Sequence, residues 1–319
     1  MDLYYDILRL LGGLAVLYFG AEWLVKGSSR LALRLGISAL VVGLTVVAFG
    51  TSAPEMAVGI QLNLSGSADA SVGNVVGSNI CNILLILGVS ALIRPIDLHR
   101  QVVTRELPIL VGVSLLLIYF LSDGVLKRIE GTILFVGIFA YVWFSFLLAR
   151  KEPPADLDEI QEEAGRKDSF VLLAVFVLLG LVGLVLGSKL FEDGGTGLAR
   201  RFGISEAVIG LTLLAFGTSL PELATSIVAS AKKEGDMILG NAVGSSIFNI
   251  LCVLGVTILV REMAITGIET VDLAFMVGVA ALLIPLMLVR RRLGRAEGVI
   301  LLAIYAVYIG LLTQRPGLG

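Results

Sequence analysis

Residues 35–88 and 202–255 are one segment written twice. A shift of 167 aligns the copies without a gap, and 28 of the 54 positions are identical. The first copy contains AFGTSAPE and GNVVGSNICN, the second AFGTSLPE and GNAVGSSIFN. A chain built this way must fold as two related halves. The identical positions include Glu55 and Glu222, each inside a very apolar stretch. A carboxylate in hydrocarbon costs several kcal/mol, so an acid in a membrane segment marks a functional site by default. Two at matching positions point to one cation site shared by the halves.

The surroundings are those of a membrane. The chain is 57% hydrophobic and 16% charged, with a mean hydropathy of +0.95, where a soluble domain carries about 25% charged residues. Runs of about 20 apolar residues recur along the whole length, the mark of a polytopic helical membrane protein. Ten spans can be placed, near 4–25, 37–62, 71–93, 105–122, 129–149, 168–190, 204–230, 238–260, 271–289 and 297–314. Residues 1–25 do not read as a signal peptide, because Asp2 and Asp6 stand where a positive leader would be. Cys81 and Cys252 read as small buried packing residues, His99 as solvated, and Trp23 and Trp143 as interface anchors.

The longest connection, 150–168, carries Pro153, Pro154 and a run of acids and reads as a solvated linker. It lacks the ligand spacing of an EF-hand loop. The linker divides the chain into a first half, 1–149, and a second, 169–319. Sixteen lysines and arginines fall in the odd-numbered connections and seven in the even ones and the C-terminal tail. Basic residues collect on the cytoplasmic side, so the linker is expected to be cytoplasmic and both termini extracytoplasmic. Five spans separate the two copies, an odd number, so the copies run oppositely through the membrane. The expected fold is an all-α membrane protein of ten helices, in two inverted-topology repeats of five. Ion sites in such folds lie near the midplane where broken helices meet.

The breaks are legible. In Gly50-Thr51-Ser52-Ala53-Pro54-Glu55, Pro54 lacks an N–H and clashes with the carbonyl four residues back, so the second span must break or kink near Gly50. Carbonyls freed around Ala48 to Thr51, the hydroxyls of Thr51 and Ser52 and the carboxylate of Glu55 form a dense set of hard oxygens. Such a set suits Na⁺ or Ca²⁺ rather than a soft metal. Gly217-Thr218-Ser219-Leu220-Pro221-Glu222 repeats the device in the seventh span. The third span adds a polar stripe, Asn74, Ser78 and Asn82, at one-turn spacing, and the eighth repeats it with Asn241, Ser245 and Asn249. Gly73/Gly77 and Gly240/Gly244 are small-residue pairs that admit a close neighbour. Glycines on the first span (12, 13 and 20) and the sixth (180, 183 and 187) make smooth faces, for helix packing or for a sliding gate. Singly, each feature has a structural reading. None of the core spans supplies a Lys or Arg to pair with either glutamate, and everything occurs twice.

At these motifs the chain resembles the calcium:cation antiporter superfamily, in its sodium/calcium exchanger branch. GTSAPE with GNVVGSNICN, and GTSLPE with GNAVGSSIFN, are similar to that family's two signature repeats. The resemblance implies a secondary transporter with no catalytic centre and no cofactor, taking three Na⁺ or one Ca²⁺ in turn while the first and sixth helices slide against the rest. It implies ligands at the Ala48 carbonyl, Thr51, Ser52, Glu55, Ser78 and Asn82, and at the Ala215 carbonyl, Thr218, Ser219, Glu222, Ser245 and Asn249. Potassium-dependent members carry Asp where this chain has Asn249, which argues against K⁺ cotransport. A proton-coupled Ca²⁺ exchanger and a cation channel are the other readings. The expected partners are the two ions and the bilayer, in a prokaryotic inner membrane. Nothing points to nucleic acid or to an obligatory protein partner.

Overall fold

The computed structural model describes residues 2–97, 99–149, 169–202, 215–268, 270–290, 292–312 and 314. The 150–168 linker and the first part of the expected seventh span, 203–214, lie outside the described residues.

The first half contains α1 (Asp2–Leu35), α2 (Ala39–Thr51), α3 (Ala53–Leu64), α4 (Ala68–Ile93), α5 (Val102–Asp123) and α6 (Arg128–Ala149). The second contains α7 (Phe170–Arg201), α8 (Ala215–Thr218), α9 (Leu220–Ala231), α10 (Gly235–Val260), α11 (Thr270–Arg290) and α12 (Arg295–Leu312). Among the described residues, seven helices are long and apolar enough to cross a membrane, or eight if the bent pair α2–α3 is one span. This is an all-helical membrane protein. Leu8, Leu11, Phe139, Leu178 and Val307 lie exposed on the outer helices, as side chains facing lipid must.

α4 and α10 are the centre of the bundle. Inside their most apolar windows 72% and 83% of residues are buried, against 17–39% for the other long spans. Both polar stripes therefore sit on the two innermost helices. Gly240 and Gly244 bring α10 against the backbone of α2 at Leu40 and Leu44, close enough that a side chain would collide. For Gly73 and Gly77 the repeat-equivalent neighbours fall within 203–214, outside the described residues.

The glycine faces of α1 and α7 pack on each other. Cβ atoms placed on Gly13 and Gly20 would lie 2.6 Å from the Phe191 nitrogen and 2.8 Å from the Leu184 nitrogen. On Gly180 and Gly187 they would lie 2.6 Å and 2.7 Å from the Leu24 and Leu17 nitrogens. Gly13 faces Gly187 and Gly20 faces Gly180, so the helices run antiparallel and the contact is reciprocal. Of the two sequence readings, these residues serve packing: they weld α1 to α7, and any sliding surface lies on another face of the pair. Gly12 has nothing within 4 Å of its added Cβ.

Short strands tie the connections together. β1 (Ile96–Asp97) pairs antiparallel with β4 (Arg292–Leu293), and β2 (Val125–Leu126) with β3 (Met263–Ala264). Shifting Ile96 and Leu293 by 167, up and down respectively, gives Met263 and Leu126, which are partners in the second pair. The hydrogen bonds repeat likewise. Asn63 Nδ2 donates to the Thr257 carbonyl at 3.0 Å, and its counterpart Ser230 Oγ donates to the Ser90 carbonyl at 3.0 Å. Cys81 and Cys252 are free and buried, and Trp23 and Trp143 lie exposed. His99 is exposed, as expected, and its Nε2 also pairs with Asp236 at 2.6 Å. That contact, reinforced by nearby Asp97, outweighs partial burial and raises its pKa above the ordinary histidine value.

Candidate functional site

Pro54 and Pro221 act as expected. Each sits at the second position of a new helix, α3 or α9, where a missing N–H costs nothing. Ser52 and Ser219 are the residues at the break, with ψ of 5° and 4° instead of helical values, and α2 meets α3 at a 41° bend. The break turns Glu55 and Glu222 inward in the first turn of the new helix, where the helix dipole favours a negative charge.

The two breaks face each other across the centre. Ser52 Oγ donates to Glu222 Oε1 at 3.3 Å, and Ser219 Oγ donates to Glu55 Oε1 at 3.4 Å. These two contacts are the same contact under the 167-residue shift, so each half lends its hydroxyl to the other half's carboxylate. Ser219 Oγ also reaches Ser78 Oγ at 3.3 Å, and Thr51 Oγ1 lies 3.3 Å from Ser245 Oγ. The hydroxyls of Thr51, Ser52 and Ser245 thus gather around the Glu222 carboxylate.

Ten of the twelve sequence-selected residues, namely Thr51, Ser52, Glu55, Ser78, Asn82, Thr218, Ser219, Glu222, Ser245 and Asn249, have side chains no more than 3% exposed. Five of their polar atoms have no protein partner, and four of the five are oxygens: Glu55 Oε2, Glu222 Oε2, Asn249 Oδ1 and Asn82 Oδ1, the fifth being Asn82 Nδ2. Buried carboxylate and amide oxygens left without a donor cost free energy. A cation is the species that satisfies several of them at once. Among the described residues no three His, Cys, Asp or Glu cluster as metal ligands, so the polar chamber is two carboxylates set among neutral oxygens.

The other two selected groups are carbonyls. That of Ala48 already accepts the Ser52 N–H at 3.1 Å and the Thr51 hydroxyl at 3.4 Å, so it is less bare than the proline argument suggests. Ala215 opens the short helix α8.

The stripes separate into two roles. Asn241 is a brace: its Nδ2 donates to the Glu222 carbonyl and to Ser226 Oγ, both at 3.2 Å, while Oδ1 accepts from Thr51 at 3.2 Å. Asn74 is half-buried with an unpartnered Nδ2. Asn79 was not singled out in the sequence. It donates to the Ser246 carbonyl at 3.1 Å and accepts from Asn249 Nδ2 at 3.1 Å, which leaves the Asn249 oxygen free. Asn82 and Asn249 each begin a π-helical turn, 82–86 and 249–254. Such turns recur at functional sites because the wider winding re-aims a side chain.

Comparison with known proteins follows the same division. The family description "Sodium/calcium exchanger protein" matches residues 5–147 and again 172–314, two stretches separated by the same shift of 167. The inner membrane protein YrbG of Escherichia coli is 38% identical, covering 95% of this chain and 95% of that protein. The sodium/calcium exchanger MaX1 of Methanosarcina acetivorans is 31% identical over 96% and 98%. A solved structure of the sodium-calcium exchanger NCX_Mj, soaked with 10 mM Na⁺ and no Ca²⁺, superposes with a TM-score of 0.86 at 34% identity, covering 98% of this chain and all of that one. A duplicated helical core, two crossed carboxylates and these matches together place the chain in the sodium/calcium exchanger protein family, as a cation/Ca²⁺ antiporter of the membrane.

Proposed function

We propose that this antiporter exchanges Na⁺ for Ca²⁺ by alternating access at the chamber between the two breaks. The observation that carries the reading is the crossed pair, Ser52 with Glu222 and Ser219 with Glu55. It makes one site out of two halves, so a movement of one half against the other remakes both sides of it together. The ligands we assign are Thr51, Ser52, Glu55, Ser78, Asn82, Thr218, Ser219, Glu222, Ser245 and Asn249, with the Ala48 and Ala215 carbonyls. Two carboxylates balance one Ca²⁺, whereas three Na⁺ leave one positive charge in excess. Exchange at that ratio is electrogenic and feels the membrane potential at about 2.3 kcal/mol per charge per 100 mV.

The architecture we infer is ten spans in two inverted five-helix halves, 1–149 and 169–319. Contacts between connections support it, because they sort by parity. The third connection meets the seventh through His99 and Asp236, and the ninth through β1 and β4. The eighth meets the second through Asp69 and the Gly267 N–H at 2.8 Å, and the fourth through β2 and β3. With the basic residues on the odd side, the 150–168 linker is cytoplasmic and both termini are extracytoplasmic. Single cysteines placed at positions 3 and 158 test this in intact cells: an impermeant reagent is expected to label the first alone, and labelling of 158 with protection of 3 reverses the orientation.

Ca²⁺ flux into liposomes containing purified protein, with and without an opposing Na⁺ gradient, tests the coupling. Na⁺-driven, potential-sensitive uptake is expected. Uptake driven by a pH gradient alone would make the protein a proton-coupled exchanger, and flux without a counter-ion would make it a channel.

Asn249→Asp is expected to change ion dependence more than folding. The Asn249 oxygen is already free and buried, so Asp adds a third negative charge to the chamber at little steric cost. Like charges at close range favour uptake of a proton or a further monovalent cation by one of them. Na⁺-driven Ca²⁺ uptake measured against pH and against added K⁺ checks this; unchanged profiles in the variant would return Asn249 to a packing role.

A further inference from the structure

α7 touches both signature turns, and with opposite chemistry. Gly50 lies against the side chain of Leu181, and Gly217 lies against the side chain of Glu192, so a methyl group on either glycine would overlap it. Between these two contacts, Ser188 Oγ donates to the Gly217 carbonyl at 2.7 Å. Leu181 and Glu192 are separated by about 16 Å along the helix axis at 1.5 Å per residue. Glu192 lies toward the even-numbered connections, because α7 ends at Arg201, which pairs with Asp6 near the N-terminus at 2.7 Å.

Glu192 is half-buried and makes no hydrogen bond or ion pair among the described residues. Its nearest charged neighbours on α7 are Asp193 and Lys189. Partly burying a carboxylate without a partner costs free energy. The fold does not require an acid there, because the equivalent position in the first half is the buried Val25. The acid is held instead against Gly217, the one residue of the second signature turn that has no side chain, next in sequence to Thr218 and Ser219 and just before Glu222.

We propose that Glu192 is a transit ligand for the entering cation, Ca²⁺ above all, at the even-face mouth of the exchange site. The inference rests on the exchanger reading and adds a third, outer carboxylate to it. A negative group at the neck of a narrow cleft concentrates cations there and speeds their capture. The missing side chain of Gly217 lets this carboxylate stand against the break itself, so a captured ion is handed on beside Thr218 and Ser219. At the opposite mouth α7 offers Leu181, so capture is assisted at one face only.

Half-saturating Ca²⁺ measured separately at the two faces, in right-side-out and inverted membrane vesicles, tests the proposal. Glu192→Gln is expected to raise it by at least about threefold at one face, and to leave the other face within experimental scatter. Raising the ionic strength is expected to shrink that difference, since it screens capture at a distance, and Glu192→Asp is expected to restore much of the loss. Equal losses at both faces, in the Gln and Asp variants alike, would mark a structural role and overturn the proposal, as would no change at either. An unmutated protein that moves no Ca²⁺ would instead overturn the exchanger reading, and the transit role would fall with it.

Discussion

Glu222→Gln and Glu55→Gln are each expected to lower Ca²⁺ transport by at least about 100-fold. Each removes one of two charges that together offset a dehydrated divalent ion. Leaving a buried charge without its partner costs about 3–5 kcal/mol, and every 1.4 kcal/mol is a factor of ten in affinity. The amide keeps the volume and one oxygen, so the loss is electrostatic rather than steric. A second readout separates this from misfolding. Without ions the parent holds two buried carboxylates within electrostatic reach of each other, so removing one relieves repulsion. The ion-free Gln variants are therefore expected to unfold at the same temperature as the parent or higher, while the stabilisation that Ca²⁺ confers on the parent by mass action disappears. Near-normal uptake by either variant at matched expression, or undiminished stabilisation by Ca²⁺, would remove the two-carboxylate site.

The residues behind that prediction were legible because their chemistry violates the membrane rule twice. Glu55 and Glu222 are costly in hydrocarbon, Pro54 and Pro221 break helices, and the 167-residue shift binds these features into one device. The one-turn spacing also identified Ser78, Asn82, Ser245 and Asn249 as buried residues on the central helices. Pairing between helices was not legible. Nothing in the sequence says that Ser52 meets Glu222 and not Glu55, since a periodicity describes one helix at a time. Asn79 escaped because its counterpart is Ser246, so the duplication hides it, and because it lies off the stripe. The π-helical turns at Asn82 and Asn249 have no signal in propensity: the same residues would form an ordinary α-helix, and packing decides otherwise. Glu192 lies outside the duplicated block and is matched by Val25, so only its place against Gly217 gives it meaning.

The pairing of α1 with α7 was also hidden. The glycines were visible, yet a smooth face fits packing and sliding equally until its partner is known. The observed contact joins the first helices of the two halves, so α1 and α7 are expected to move as one body if they move at all. That body reaches the chamber from outside, with Leu181 on Gly50 and Glu192 on Gly217. On the alternating-access mechanism proposed above, a rigid pair touching both breaks would close one as it opens the other, which a single helix hinged at its own kink could not do.

Gly180→Ala should then damage the protein far more than its one added methyl group suggests. The new Cβ would lie 2.6 Å from the Leu24 nitrogen and 2.8 Å from both the Gly20 carbonyl oxygen and the Leu24 Cα. All three are backbone atoms, which cannot swing away as a side-chain tip can, so α1 and α7 must separate along their length. Separation loosens the reciprocal contacts at Gly13, Gly20 and Gly187 together, and close backbone approach is what holds helices in lipid, where no hydrophobic drive acts between them. Overpacking of this kind costs about 1–3 kcal/mol and sometimes more. Gly12→Ala is the matched control: it sits on α1, the other helix of the pair, beside Gly13, with nothing within 4 Å of the added atom. There the change trades glycine for the better helix former, a gain of up to about 1 kcal/mol. Thermal unfolding of both variants in detergent, with Na⁺-driven Ca²⁺ uptake in liposomes, is the measurement. Gly180→Ala is expected to melt well below the parent and to transport poorly, while Gly12→Ala melts at or above it and transports normally. Equal behaviour of the two would mean that the α1–α7 contact contributes nothing to stability, and the rigid pair would have to be abandoned as the moving body.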